Sequence, residues 1–168
     1  MYHFFVEPHQ IGAEEIRIEG ADVNHIRNVL RMKPGEEILI SSREGGDYFC
    51  RVEELEPEYV SAKILEEWEN KELPARIHLF QGLPKGDKME LIIQKAVELG
   101  AYRVVPVSMK RSVVKLDAKK ADAKRKRWNA VSESAAKQSK RSLIPEVAPL
   151  MTYKEAVKEA AGYDMVLL

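Results

Sequence analysis

A chain of 168 residues with 45% hydrophobic content, 32% charged residues and no net charge can bury one core or two small ones. It has no apolar run near the roughly 20 residues that a membrane span requires, and its first residues lack the order of a signal peptide, so we expect a cytoplasmic protein. With a single cysteine, Cys50, an internal disulfide and a cysteine metal cluster are both excluded, and we expect a small, half-buried strand residue there.

The zero net charge conceals two halves of opposite sign. Up to Leu73 the chain has 8 Lys and Arg against 17 Asp and Glu, and from Pro74 onward it has 19 against 10. Residues 110–141 alone hold 12 basic and 3 acidic residues. Dense basic surfaces most often neutralise phosphate, which favours a polyanionic partner, although a solvated helix face has the same composition.

The acidic half predicts five short strands and one helix. Glu44-Gly45-Gly46-Asp47 suits a hairpin, and Pro34-Gly35 suits a type II turn because glycine takes positive φ freely. Five short strands with one helix predict a small β-barrel. The expected strands are residues 2–5, 16–19, 37–42, 48–55 and 59–67.

The helix of this half is expected over residues 22–31 (DVNHIRNVLR). Its apolar residues recur at helical spacing and should face inward. Arg27, Arg31 and Lys33 then remain outside as the main cations of an acidic domain. The inward set is Val23, Ile26, Val29 and Leu30.

A polar stretch ending at a proline, residues 69–74 (ENKELP), predicts a boundary between residues 1–72 and residues 73–168. Beyond it, short apolar runs with β-branched residues, at residues 76–81 and 102–107, flank a helical segment. A strand, a helix and a strand at this spacing predict a right-handed parallel unit.

The flanked segment, KGDKMELIIQKAVELG, has helix signals at both ends. Asp87 with Glu90 predicts a capping box, and Gly100 stands where a left-handed C-terminal cap is usual. An apolar stripe at the helical period connects the two ends. Its members are Met89, Ile92, Ile93, Ala96 and Val97.

Two more helices and a strand are expected after this unit. A long basic helix runs from about residue 117 to residue 141, and Thr152 with Glu155 predicts a capping box that opens a helix closed by Gly162. Residues 164–168 (DMVLL) predict a third buried strand, and a sheet that stops there lacks cover, so we expect a piece of a longer protein. One face of the long helix carries Trp128, Val131, Ala135 and Gln138, with Trp128 expected in the core or a dimer interface.

Familiar catalytic and nucleotide motifs are absent from the sequence. Residues 82–88 (GLPKGDK) follow a strand but contain no Gly-Lys-Ser or Gly-Lys-Thr, and no Gly-x-Gly-x-x-Gly occurs. The four histidines show no metal-ligand spacing, and no serine lies in a Gly-x-Ser-x-Gly elbow. We therefore expect no metal site and no triad chemistry.

Four segments resemble the RsmE-type methyltransferases of the SPOUT superfamily, which modify N3 of a uridine in small-subunit ribosomal RNA. They occur in both halves of the chain and in the family's order. The resemblance implies an α/β protein in which a small PUA-like β-barrel, residues 1–72, precedes an incomplete SPOUT (α/β knot) domain, residues 73–168. The segments are HIRNVLRMKPGEEI (25–38), KGDKMELIIQKAVELG (85–100), RSVVK (111–115) and KRWNAVSESAAKQSKRSLIPEV (126–147).

The resemblance also implies what this chain lacks. The family holds S-adenosylmethionine in knotted C-terminal loops with a Gly-Pro-Glu-Gly-Gly turn, which does not occur here, so the cofactor site is expected C-terminal to residue 168, with Leu167 and Leu168 leading towards it. The intact protein would be a homodimer acting on small-subunit RNA or the assembled subunit, and this piece alone would be inactive. A non-catalytic RNA-binding protein is the alternative.

Methylation of N3 requires loss of its proton, and a cation near the uracil oxygens would favour the anion. Arg111 is the catalytic candidate because it follows the C-terminal end of a strand, where open α/β sheets place ligands, with a simple phosphate contact as the alternative role. The remaining candidates are expected to contact the RNA: Arg27, Arg31, Lys33, Lys85, Lys88, Lys110, Lys115, Arg127 and Arg141.

Overall fold

The computed structural model describes residues 1–43, 46–69, 72–110 and 117–167, which form two compact units. Unit 1 comprises Met1–Glu72 and the returning segment Lys140–Leu143, and unit 2 comprises Leu73–Ser139 and Ile144–Leu168. In these described ranges, no helix is both long enough and apolar enough to cross a membrane.

Unit 1 is built on a five-stranded sheet in the order β1-β3-β4-β5-β2. Strand β1 is parallel to β3, whereas the other neighbours are antiparallel. Two bulges in the β4–β5 pair help to bend the sheet into a curled half-barrel. All five predicted strands are confirmed: Tyr2–Val6 (β1), Glu15–Glu19 (β2), Glu37–Ser42 (β3), Asp47–Leu55 (β4) and Tyr59–Trp68 (β5).

Alternate residues of these strands face one apolar core, as the period of two requires. Ile38 and Ile40 on β3 and Cys50 and Val52 on β4 are fully buried. Cys50 is therefore more deeply buried than predicted, and burial raises the pKa of its thiol to about 12, which keeps it protonated at neutral pH. The predicted turn at Gly35 is confirmed by its φ of 94°. Glu44 and Gly45 of the predicted hairpin lie outside the described residues.

The predicted helix of unit 1 is present as Ala21–Asn24 (α1), continued by a π-helical turn, His25–Val29. The Leu30 N–H donates to the His25 carbonyl at 2.9 Å, five residues back. One extra residue in the turn rotates the following side chains. The prediction that Val29 faces inward is therefore wrong, since Val29 is 61% exposed, whereas Leu30 packs against the core.

The returning segment of unit 1 is held by two carboxylates, those of the buried Asp47 and of Glu72, whose side chain is 12% exposed. Arg141 pairs with Glu72 through Nε at 2.9 Å, and the Ser142 N–H donates to Glu72 at 2.8 Å. The Ser142 hydroxyl donates to Asp47. The Ser41 hydroxyl donates to the other oxygen of Asp47, so Ser41 Oγ must accept from His3 Nε2, 2.8 Å away.

Unit 2 is built on a parallel sheet in the order β6-β7-β8, and β9 also pairs with β7. The predicted strand–helix–strand unit is confirmed, and Val104, Val105 and Val107 of β7 are buried. The elements are His78–Gly82 (β6), Lys88–Glu98 (α2), Arg103–Ser108 (β7), Ala118–Ser139 (α3), Glu146–Val147 (β8), Met151–Thr152 (β9) and Tyr153–Ala160 (α4).

The strand predicted over residues 164–168 is not found in the described residues. Residues 164–167 form no strand, and Leu167 is 85% exposed, because an apolar run becomes a strand only where a neighbour supplies backbone hydrogen bonds. The sheet instead continues with the short strands β8 and β9, parallel to β7. The long basic helix predicted from about residue 117 to residue 141 is confirmed as α3, which ends at Ser139 because Lys140 takes a φ of 55°, outside the helical region.

Helix α2 has the predicted stripe and C-terminal cap but not the predicted capping box. Asp87 stands at the N-cap without a side-chain hydrogen bond, so the prediction that Glu90 reaches back to the cap is wrong. At the other end, the Gly100 N–H donates to the Val97 carbonyl and the Ala101 N–H to the Ala96 carbonyl. With Gly100 at a φ of 95°, this is a Schellman motif. The second predicted box, Thr152 with Glu155, is confirmed.

Replacing Gly100 with alanine should lower the free energy of unfolding by about 1–2 kcal/mol, because a side chain disfavours the left-handed conformation. A Cβ there would also lie 2.7 Å from Leu73 Cδ1, although the exposed Leu73 side chain can move. Urea denaturation measures the loss. The matched control is Gly162→Ala, where a Cβ meets only ordinary contacts at 3.4 Å and stability should stay within about 0.5 kcal/mol. Equal stability of the two variants would contradict the cap.

Candidate functional site

The C-terminal edge of the parallel sheet in unit 2 is the candidate site. Strands β6, β7 and β9 run in the same direction, so Gly82, Ser108 and Thr152 all end at this edge. The connections that leave β6 and β7 approach each other closely, since a Cβ on Gly82 would lie 3.2 Å from Met109 Cγ. Ligands of open α/β sheets bind at this edge.

Three of the predicted RNA-contacting lysines lie at this edge. Lys85 follows β6, Lys88 opens α2 and Lys110 follows β7. All three are exposed, and within the described ranges none of them has an ion pair. Arg111 and Lys115, predicted beside them, lie outside the described residues, as does Leu168.

Arg127 brings the basic helix α3 to the first turn of α2. Its Nε lies 2.6 Å from Glu90 Oε1, and its Nη2 donates to Glu90 Oε2 at 3.0 Å. The hydrogen bond and charge of Glu90, with the charge of Asp87, raise the pKa of Arg127. Glu90 is therefore the partner of Arg127 and not of a cap. Arg127 remains 67% exposed in spite of the pair, and its contact with RNA stays a prediction.

Many of the cations on α3 form ion pairs within the molecule. Arg125 pairs with Glu146 at 3.2 Å. Trp128 is 3% exposed, which places it in the core, whereas Gln138 faces solvent. The solvated-face interpretation therefore explains part of the basic block. The remaining ion pairs along α3 are Lys120–Asp117, Lys126–Asp122 and Lys137–Glu133.

Asn129 fastens α3 to the short strand β8. Its Oδ1 accepts from the Val147 N–H at 3.0 Å, and its Nδ2 donates to the Val147 carbonyl at 3.1 Å. The side-chain amide thus takes the place of a neighbouring strand. The Ser132 hydroxyl donates to the Pro145 carbonyl at 2.5 Å, one turn further along the helix. Asn129 and Ser132, next to Trp128 on α3, therefore have a structural role that the sequence did not indicate.

The predicted cations of unit 1 divide into two kinds. Arg31 and Lys33 are exposed and Arg27 is half-buried around the end of the π-helical turn, where Arg31 takes a φ of 54°. Arg141 belongs to the buried ion pair with Glu72, in which its side chain is 10% exposed. An RNA contact by Arg141 stays a prediction that would require this pair to open.

A polar cluster at the opposite edge of the sheet was missed by sequence reasoning. Arg103 Nη1 donates to Glu159 at 2.6 Å, and the Tyr163 hydroxyl lies 3.0 Å from His78 Nδ1 and 3.1 Å from Glu159. Burial, together with the charge of Arg103, lowers the pKa of His78. The members lie up to 85 residues apart, so no local signal could reveal them. The cluster ties α4 to β6 and β7.

The chain combines a curled β half-barrel with a parallel α/β unit that has exposed lysines at its C-terminal edge. Such features indicate a protein that binds nucleic acid. A model of an RNA methyltransferase PUA domain matches residues 18–65, and a model of an RNA methyltransferase domain matches residues 71–168. The chain therefore belongs to the RNA methyltransferases, and the relatives named in the next paragraph are of the RsmE type. The expected fold class, a small PUA-like β-barrel followed by an α/β domain of the SPOUT type, is confirmed, with the barrel present as a curled half-barrel sheet.

Several similar proteins are named as methyltransferases of this family. The ribosomal RNA small subunit methyltransferase E of Bacillus subtilis is 40% identical over 98% of this chain, and that of Synechocystis is 30% identical over 99%. A crystal structure of the Neisseria gonorrhoeae enzyme bound to S-adenosylmethionine has a TM-score of 0.81 and 34% identity, covering 95% of this chain and 66% of that one. The chain spans 66% of the length of the Bacillus relative and 54% of the Synechocystis relative.

The Asn129→Ala variant should lose about 1–3 kcal/mol of unfolding free energy, because the N–H of the buried Val147 would lose its side-chain acceptor. Asn129→Asp keeps that acceptor, so its free energy of unfolding should lie between those of Asn129→Ala and the wild type. Gln138→Ala, at an exposed position of the same helix, is the control and should change stability by less than about 0.5 kcal/mol. Chemical denaturation measures these free energies. If Asn129→Ala were as stable as this control, Asn129 would not hold α3 to β8.

Stability should fall as the pH is lowered through about 6.5, the ordinary pKa of histidine. The pKa of His78 is lowered in the folded protein, so the unfolded chain binds this proton more readily and protonation favours unfolding. The contribution is present above pH 6.5 and is lost below it. Between pH 7.5 and pH 5.5, the free energy of unfolding should decrease less for His78→Gln than for the wild type. Denaturation at both pH values measures this difference. Parallel pH profiles would contradict this role.

Proposed function

We propose that this chain is the RNA-binding part of an S-adenosylmethionine-dependent methyltransferase of small-subunit ribosomal RNA. The observation that carries the proposal is the cationic edge formed by Lys85, Lys88 and Lys110, which have no ion pair in the described ranges. Exposed lysines that are not neutralised internally are available to replace the counterions of an RNA backbone. The names of the relatives support the ribosomal RNA as the substrate.

The two parts of the chain have different roles in this proposal. Residues 1–72 form the PUA-like module, whose net charge is negative and whose proposed RNA contacts are Arg27, Arg31 and Lys33. Residues 73–168 form the start of the methyltransferase domain and carry the cationic edge. The acidic remainder of the module repels phosphate, which restricts the orientations in which RNA can approach it.

The chemistry proposed for the intact enzyme is methylation of uridine N3. The RNA has to present N3 without its proton, and a guanidinium beside the uracil oxygens would stabilise that anion. Arg111 is proposed for this role, since it follows the end of β7 by a few residues in the sequence. Lys115 is proposed to contact the backbone nearby.

The cationic edge suits phosphate and not the sulfonium of S-adenosylmethionine. The cofactor carries a sulfonium cation, and the edge that would receive it is lined by the lysines named above, whose charge would repel it. We therefore propose, from the family resemblance, that the cofactor site lies C-terminal to residue 168. We also propose a cytoplasmic homodimer that recognises the small ribosomal subunit or its RNA.

RNA binding by the chain should depend on the cationic edge. The double variant Lys85→Glu, Lys88→Glu should bind in vitro transcribed small-subunit RNA about tenfold or more weakly than the wild type at 0.1 M salt. In 0.5 M salt the difference should shrink, because screening removes backbone attraction. Filter binding measures both, and equal affinities at 0.1 M salt would contradict the site.

Methyl transfer is tested separately with labelled S-adenosylmethionine and unmethylated small subunits. The intact enzyme should incorporate label and the 168-residue chain should not. Incorporation by the chain would show that the cofactor site lies within it. RNA binding without transfer by the intact protein would favour the non-catalytic alternative.

A further inference from the structure

The helix that follows β9 begins at the same edge as the three lysines of the proposed site. Ser108 at the end of β7 pairs with Thr152 at the end of β9. Lys110 lies two residues beyond Ser108, and Lys154 lies two residues beyond Thr152, in the first turn of α4. Lys154 is exposed and has no ion pair within the described part of the chain. The topology therefore adds a fourth cation to this edge.

The position of Lys154 is unfavourable for the helix itself. The N-terminal end of a helix carries partial positive charge, so a lysine there is disfavoured, whereas one in the last turn is favoured. Lys88 stands in the first turn of α2 in the same way. Lys158, one turn beyond Lys154 and also exposed, lies in the last turn of α4, where helix electrostatics alone explain it. Helix stability therefore explains Lys158 but not Lys154.

The nearby acidic groups leave Lys154 available. The Glu155 carboxylate accepts from the N–H of Thr152 at 2.7 Å and from its hydroxyl, also at 2.7 Å, and these bonds lower the pKa of Glu155. The Thr152 side chain in turn accepts from the Glu155 N–H. Because the capping box satisfies this helix start internally, an anion at this position would be met by the Lys154 ammonium.

We propose that Lys154 is a further RNA backbone contact, which extends the cationic edge from the loops after β6 and β7 to the start of α4. The ligand is the phosphate backbone of RNA and not a single free anion, because the lysines of this edge follow three different strands. This inference rests on the proposed function.

The test compares Lys154→Glu with Lys158→Glu. Both changes reverse one charge on the same short helix, and only the first lies at the proposed edge. Lys154→Glu should weaken binding to small-subunit RNA roughly three- to tenfold at 0.1 M salt and reduce the salt slope by about 1. Lys158→Glu should change affinity less than about twofold.

The thermal stability of Lys154→Glu distinguishes the loss of an RNA contact from damage to the fold. Lys154→Glu places a favourable charge at the helix start, so thermal unfolding should occur at the wild-type temperature or above. The weaker binding then reports a lost contact. Equal affinities of the two variants, with RNA bound by the wild type, would overturn this inference and leave the proposed function intact.

Absence of RNA binding by the wild type would instead overturn the proposed function and this inference with it. Vesicles containing anionic lipid provide the comparison with another polyanion. Lys154-dependent binding to vesicles with unchanged RNA affinity would assign the edge to a membrane surface and overturn the proposal.

Discussion

Parallel pairing along β7 is the constraint on which unit 2 depends. Strand β7 is buried, pairs with β6 on one side and is flanked by β8 and β9 on the other, so the connecting loops that leave β6, β7 and β9 have to emerge at one edge. That edge receives lysines from three separate stretches of sequence. The electrostatic character of the candidate site is therefore a consequence of strand direction.

Charge pairing decides which cations can serve an RNA. Arg141 is withdrawn into a buried pair with Glu72, and Arg125 shares Glu146 with Arg103. The exposed pair between Arg127 and Glu90 is different, because solvent screens it and an RNA phosphate can compete for the guanidinium. The basic block of the sequence is thus partly structural and partly available for binding.

Local signals in the sequence were sufficient for most of the framework. Short runs separated by turn residues predicted the strands of unit 1, and Gly100 predicted the cap of α2, because each depends on neighbours a few residues away. Local signals failed where a distant residue competed for the same group. Glu90 satisfies every local requirement of a capping partner, yet it binds Arg127, 37 residues further along the chain.

By itself the sequence determined the fold class, the family and the division of charge, since periodicity, turn residues and motif order are properties of the chain. Only the tertiary structure decided which cations are free, that residues 164–167 form no strand, and that Lys154 joins Lys110 at one edge. The physical reason is that ion pairs and strand partners join residues far apart in sequence, and a side chain's availability depends on what lies next to it in space.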